Sequence, residues 1–178
     1  LFSRYTVADR NAESLTQAQV TLQWIVSEST TWGAELRMLD EQRLSGDAVG
    51  TLAALQYKRQ IGSNLDLYGI GQVTLSNDGG AYQDNNSLTV GAEYVFGELS
   101  TVTAELVTGE RGNAAKIGAD YKLNQNYGIY GNYTYTNELQ EYDTLFNSQL
   151  NTGWTIGQRW HVSNQVTMYN ESQFLKDP

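Results

Sequence analysis

Hydrophobic and polar positions alternate one by one through most of the chain. In the clearest run, Leu88, Val90, Ala92, Tyr94 and Phe96 are separated mainly by small or polar residues. A period of two indicates a β-strand with one apolar face, whereas an amphipathic helix would repeat every 3.6 residues. Comparable runs recur along the whole sequence and predict about eleven strands. Most are close to the roughly 9–11 residues that a tilted membrane-crossing strand needs.

The connections between these runs alternate in length. Tight connections are predicted at 27–31, 61–64, 97–99, 124–126 and 161–164, and longer polar ones at 8–14, 40–50, 76–86 and 137–148. The link at 109–113 occupies a long position but is short. Short periplasmic turns opposite longer extracellular loops are typical of bacterial outer-membrane barrels. We therefore predict an all-β, antiparallel up-and-down transmembrane β-barrel in the outer membrane, with the long loops extracellular and the short turns periplasmic.

The number of strands bears on domain organisation. About 10–11 strands are visible, and residues 1–178 are expected to form a single transmembrane β-barrel region. Standard bacterial single-chain barrels use an even number of strands, so an odd count predicts part of a larger barrel, incomplete at both ends. The sequence also ends without the aromatic residue that typically closes the last strand. Further strands could come from the same chain or from a partner.

Composition narrows the class further. The mean hydropathy is -0.47 and no run of eighteen apolar residues occurs, which excludes a transmembrane helix. The single proline is Pro178, as suits uninterrupted sheet, and the absence of cysteine excludes disulfides and thiolate metal sites. A net charge of -9 argues against nucleic acid as a partner.

Aromatic residues with the apolar parity cluster close to the tight connections. Strand propensity alone could account for their presence, but not for their clustering at one end of the strands. We predict that they form a girdle at one membrane interface. Its members are Trp24, Trp32, Tyr57, Tyr94, Phe96, Tyr121, Tyr127 and Trp160, with Tyr133 and Tyr135 expected at the opposite interface.

The other parity carries many ionisable residues. Burying so many charges in a dry interior would be costly unless they were paired, so this face is expected to line a wet lumen. Glycines 91, 118, 128, 153 and 157 share it and leave space for water. The mixed signs indicate no clear preference for anions or cations. The predicted lumen-facing polar wall contains Glu35, Arg37, Lys58, Asp66, Glu93, Glu105, Lys116, Asp120, Lys122, Arg159 and Glu171.

The sequence offers little for catalysis. His161 is the single histidine, in a predicted turn, and no nucleophile elbow, zinc-protease motif, phosphate-binding loop or Cys/His ligand set is present. We therefore expect no enzyme activity, no cofactor and no metal, although a site divided among strands outside the sequence stays open. The loops are acidic; 77–80 and 84–86 could bind calcium, but a solvated surface is the simpler explanation.

Segments 90–96 (VGAEYVF) and 117–123 (IGADYKL) are similar to the strand ends that precede periplasmic turns in porin-like and other large outer-membrane barrels. The resemblance concerns architecture and identifies no specific family. The polar wall instead predicts a pore or translocation conduit for solutes or polymers. Its expected neighbours are outer-membrane lipid and lipopolysaccharide, with other envelope proteins or further barrel strands as candidate partners. The alternative is a membrane anchor or adhesin-type barrel that presents loops and conducts little. A soluble extracellular β-protein is the third hypothesis.

Overall fold

The computed structural model describes residues 2–10, 13–43, 46–97, 99–137, 152–163 and 166–176. It contains eleven strands, the number that the alternation predicts, and one short 3₁₀ turn. No helix in these residues is long and apolar enough to span a bilayer. The strands are β1 Phe2–Arg10, β2 Glu13–Ser27, β3 Thr30–Arg43, β4 Gly46–Ile61, β5 Leu65–Ser76, β6 Ser87–Phe96, β7 Ser100–Gly109, β8 Gly112–Lys122, β9 Tyr127–Thr136, β10 Gly153–Ser163 and β11 Val166–Leu175.

All eleven strands belong to one antiparallel sheet in which each strand pairs with its neighbours in the sequence. The fold is therefore all-β, antiparallel and up-and-down, as predicted. Because direction alternates from strand to strand, β1 and β11 run the same way and cannot pair antiparallel with each other. No ladder joins these two strands within the described ranges. The expectation that the wall belongs to a larger barrel stays a prediction.

The ends of the first strands differ from the sequence prediction. The long loops predicted at 8–14 and 40–50 are wrong. The ladder of β1 and β2 continues to the pair Arg10–Glu13, and that of β3 and β4 continues to the pair Arg43–Gly46. Charged positions indicated loops, but an antiparallel ladder satisfies the backbone while Asp40 and Asp47 stay exposed. The loop at 77–86 is confirmed, whereas 138–148 lies outside the described residues. The tight turn predicted at 161–164 is shorter than expected, since β10 continues through His161 to Ser163.

The register gives the sheet a regular stagger. A row of paired residues crosses the sheet from Glu35 on β3, through β4, β5 and β6, to Gly109 on β7. Glu35 lies five residues past the start of its strand, whereas Gly109 lies nine residues past the start of its strand. The row from Glu105 on β7 reaches Leu175 on β11 with the same offset. One residue per strand, with a rise of about 3.3 Å and a strand spacing of about 4.8 Å, corresponds to a tilt of about 35°. This is the inclination typical of barrel strands.

The burial pattern is inverted relative to that of a water-soluble sheet. On β3, the charged residues Glu35 and Arg37 are only 4% and 5% exposed, whereas the alternate residues Leu36 and Met38 are 46% and 52% exposed. Large apolar side chains are exposed on the same face of β2 to β11. An apolar surface of this extent indicates contact with a nonaqueous environment. We call this the outer face, and the opposite one the inner face.

Candidate functional site

The register places all eleven predicted wall residues on the inner face. Glu105 pairs with Lys116 across β7 and β8, Lys58 pairs with Tyr68 across β4 and β5, and Arg37 pairs with Leu52 across β3 and β4. The predicted inner-face glycines share these rows, for example Gly91 opposite Glu105. The charges therefore lie together on one face, and the role of that face as the wall of a lumen stays a prediction.

Ion pairs between described residues connect charges on the inner face. Arg37 Nη2 lies 3.2 Å from Glu35 Oε1, two residues away on the same strand, and both side chains are buried. Lys58 Nζ lies 2.7 Å from Asp66 Oδ2 across β4 and β5, and Arg159 contacts Asp120 from two strands away. Pairing reduces the cost of holding these charges close to the wall. A polar wall in this arrangement is compatible with a hydrated lumen.

In two places a tyrosine hydroxyl donates a hydrogen bond to a glutamate two strands away, and we call each such contact a clasp. Tyr68 on β5 lies across Gly91 on β6 and donates a hydrogen bond of 2.6 Å to Glu105 Oε2 on β7. A Cβ at Gly91 would overlap the tyrosine ring, so the absence of a side chain there permits the close approach.

The second clasp repeats this arrangement four strands further along the sheet. Tyr130 on β9 lies across Gly157 on β10 and donates a hydrogen bond of 2.7 Å to Glu171 Oε2 on β11. The guanidinium of Arg159 lies 5.8 Å from the centre of the Tyr130 ring. Each clasp therefore connects the first and third of three consecutive strands, and the glycine on the middle strand leaves space for the ring.

Residues 77–86, which we call the tongue, fold onto the inner face between β5 and β6. Tyr82 is almost fully buried against Gly50 on β4, where a Cβ would lie 2.7 Å from the ring carbons. The Arg111 guanidinium lies 4.7 Å from the centre of the same ring and donates hydrogen bonds to the carbonyl oxygens of Gln83 and Asp84. The tongue therefore packs on the sheet rather than projecting away from it.

Further hydrogen bonds fix the tongue to β5. Gln72 Nε2 donates to the backbone carbonyl oxygen of Asn85 at 2.7 Å, and the backbone N–H of Asn85 donates to Thr74 Oγ1 at 2.7 Å. Beneath the tongue is a small apolar core. Its members are Leu39, Ala48, Leu52, Ala54, Ile70 and Tyr82.

The oxygen-rich residues that suggested calcium binding contact one another, since Asn77 Nδ2 donates to Asp84 Oδ1 at 3.0 Å. In the part of the chain that the structure describes, no three His, Cys, Asp or Glu residues come together as a metal site. His161 Nδ1 lies 2.8 Å from Thr167 Oγ1 on β11.

The predicted girdle residues all lie on β2 to β10 within four residues of a strand end that adjoins a tight turn. Trp24, Trp32 and Tyr57 are opposite one another in a single row, and the rings of Trp32 and Tyr57 are 4.9 Å apart. The Phe96 and Tyr121 rings stack at 6.3 Å, and Tyr127 pairs with Trp160. Tyr94 is half-exposed on the same face. Near the other strand ends, Tyr133 contacts Trp154 at 4.8 Å. The role of these rings at a membrane interface stays a prediction.

Sequence reasoning missed the residues that shape the inner surface beyond the charges. Tyr82 and Arg111 lie in predicted connections, and the alternation gives Tyr68 and Tyr130 no special role. No sequence pattern separates Tyr68 and Tyr130 from other strand tyrosines, because the tyrosine–glycine dipeptide that each begins also occurs at 127–128. No pattern indicated that residues 77–86 fold inward.

Comparisons with known proteins bear on the fold alone. No protein-family model matches the chain, and no curated protein matches it. Among solved structures, the KdgM porin in complex with disordered oligogalacturonate is 11% identical, with a TM-score of 0.49, and the match covers 90% of this chain and 88% of that chain. A mutant of the Rh. blastica porin is 14% identical, with a TM-score of 0.43 and coverage of 97% and 91%. The chain is structurally similar to outer-membrane porins. Sequence identity is low, and no specific family is identified.

Proposed function

We propose that the protein lies in the bacterial outer membrane and forms a polar-lined pore or conduit for hydrophilic solutes or polymers. The observation that carries this proposal is the division of the sheet into two faces. Ion-paired charges and hydroxyls lie on the inner face, and large apolar side chains are exposed on the outer face. A lipid-facing exterior and a wet interior explain both.

The outer face would contact lipid, and the aromatic girdle would mark one interface of the bilayer. By the usual asymmetry of these barrels, the tight turns would be periplasmic and the tongue end extracellular, where lipopolysaccharide is the neighbour. Transport through such a wall requires no cofactor or catalytic group, and we propose no enzyme activity. The tongue would narrow the passage.

Conductance tests the proposed pore. The purified protein, reconstituted in planar bilayers in 1 M KCl (about 3 Å of screening length), should give discrete current steps. Deletion of residues 78–84 should enlarge these steps, because the deletion removes the segment held against the inner face by Arg111. Glu28→Ala, in an exposed tight turn, serves as the control and should leave them unchanged. Extraction of the protein from membranes by carbonate without detergent would contradict the membrane assignment.

One observation favours a second function, that of an anchor with little conductance. Tyr82 and Asn85 of the tongue are almost fully buried against the wall, so the tongue is packed as a plug would be. If the native protein is silent and the 78–84 deletion conducts, the barrel is closed by the tongue and the anchor hypothesis is favoured. Current from the native protein would exclude it.

A further inference from the structure

Inner-face residues can be assigned to levels along the pore. Five hairpins close through tight turns: β2–β3, β4–β5, β6–β7, β8–β9 and β10–β11. Each cross-strand pair of a hairpin has one residue on the hairpin's second strand. We define the level of the pair as the number of residues by which that residue follows the first residue of the second strand. Because the stagger keeps the tight turns in line around an inclined wall, pairs of equal level lie at one height.

Level five has a uniform chemistry. Its five pairs are Thr21–Glu35, Gln56–Ile70, Gly91–Glu105, Gly118–Asn132 and Gly157–Glu171. The ionisable residues among them are three glutamates, located on every fourth strand. Level three holds two acids and two bases, and level seven has the bases Arg37 and Lys116. Net negative charge is therefore concentrated at level five.

A hydroxyl group fixes each of these carboxylates. Thr21 Oγ1 donates to Glu35 at 3.0 Å, Tyr68 to Glu105 at 2.6 Å and Tyr130 to Glu171 at 2.7 Å. Hydrogen bonds of this kind hold a carboxylate in one position. The repeated donor, on three different hairpins, indicates that the level is a built feature of the wall rather than a chance cluster.

We propose that Glu35, Glu105 and Glu171 form an acidic tier that makes the pore prefer cations, and this inference rests on the proposed pore. Rings of carboxylates attract cations and repel anions where a passage is narrow enough for their fields to act. The bases of level seven oppose the tier but are fewer. The exposed acids Asp47, Asp78 and Glu110 at the tongue end add to the same preference.

The test is the reversal potential in a KCl gradient at low salt, where screening is weak. The native protein should show a K⁺/Cl⁻ permeability ratio above one. In the double variant Glu105→Gln/Glu171→Gln, the ratio should fall by about twofold or more, because two of three charges are lost from the tier. Glutamine still accepts the tyrosine hydrogen bonds. Glu35 stays intact because it also pairs with the buried Arg37. Lys116→Gln should raise the ratio.

Two comparison variants isolate the level. Glu93→Gln removes one carboxylate from level three and should change the ratio less than Glu105→Gln does. Glu28→Gln, in an exposed tight turn, should leave it unchanged. Current steps with an unchanged ratio in the double variant would overturn the tier but leave the pore intact. Absence of current from native protein and variants alike would overturn the pore itself. If the double variant does not fold, the two single variants decide the question.

Discussion

Gly91→Ala tests whether the Tyr68 clasp stabilises the wall. The alanine Cβ would overlap the Tyr68 ring, so the ring must leave its place and the hydrogen bond from Tyr68 to Glu105 must break. Glu105 is 6% exposed and would lose a charged hydrogen bond in a buried position. The change is local because Gly91 has an ordinary backbone conformation for a strand.

The magnitude follows from three contributions. Forced overpacking costs about 1–3 kcal/mol. Loss of a hydrogen bond to a charged group costs about 1.5–3 kcal/mol. Replacing glycine by alanine within a strand returns about 0.5–1 kcal/mol. Because the ring can relieve part of the overlap as it moves, we expect a net loss of about 2–4 kcal/mol in the free energy of unfolding.

Urea titration of the protein in phospholipid vesicles, followed by tryptophan fluorescence, measures this loss. Gly71→Ala is the matched control, since it lies on a neighbouring strand with no atom within 4 Å of its Cβ position. It should be neutral or slightly stabilising. In the Tyr68→Ala background, Gly91→Ala should lose most of its effect. A native-background cost no larger than that of Gly71→Ala would refute the role of the clasp.

Three further predictions follow from the same contacts. Tyr68→Phe should lower the midpoint of unfolding more than Tyr130→Phe, because Glu105 is buried and Glu171 is exposed; equal shifts would contradict this. Arg111→Ala should make residues 77–86 more susceptible to limited proteolysis, and Arg59→Ala is the control at an exposed arginine. An unchanged cleavage rate in Arg111→Ala would show that the Arg111 contact does not hold the tongue on the sheet. Trp32→Ala should lower the free energy of unfolding by about 1 kcal/mol more than the loss of buried apolar area explains, because the Trp32 ring contacts Tyr57. A double-mutant cycle of Trp32 and Tyr57 in vesicles measures this coupling, and zero coupling would contradict the prediction.

Alternation predicted the fold and the two faces because both depend on neighbours in the sequence. Side chains of a strand point to opposite sides whatever the rest of the sheet does, so Glu35, Arg37 and Glu105 could be assigned to one face directly. The clasps could not be predicted in this way. Tyr68 and Glu105 are two strands apart, and their contact depends on the absence of a side chain at Gly91.

The tongue was hidden from sequence for a different reason. Its polar and glycine-rich sequence predicts a solvated loop, and Tyr82 alone gives no direction. The inward fold depends on Gly50, which leaves space for the ring, and on Arg111, which comes from a turn two connections away. The polar residues at 40–50 predict a loop, although the paired backbone continues to Arg43 and Gly46.

The acidic tier shows why levels require the register as well as the pattern. On β10, Gly157 is six residues from Ser163, yet it pairs with Glu171, five residues past Val166. The extra residue belongs to a bulge between His161 and Ser163, and a second bulge between Ile25 and Ser27 shifts β2 in the same way. Without the bulge in β10, the pairing with β11 would slip by one residue, Gly157 would lie opposite Ser172, and Glu171 would turn to the outer face. The bulges therefore keep Thr21 and Gly157 in line with the glutamates, and the tier depends on them.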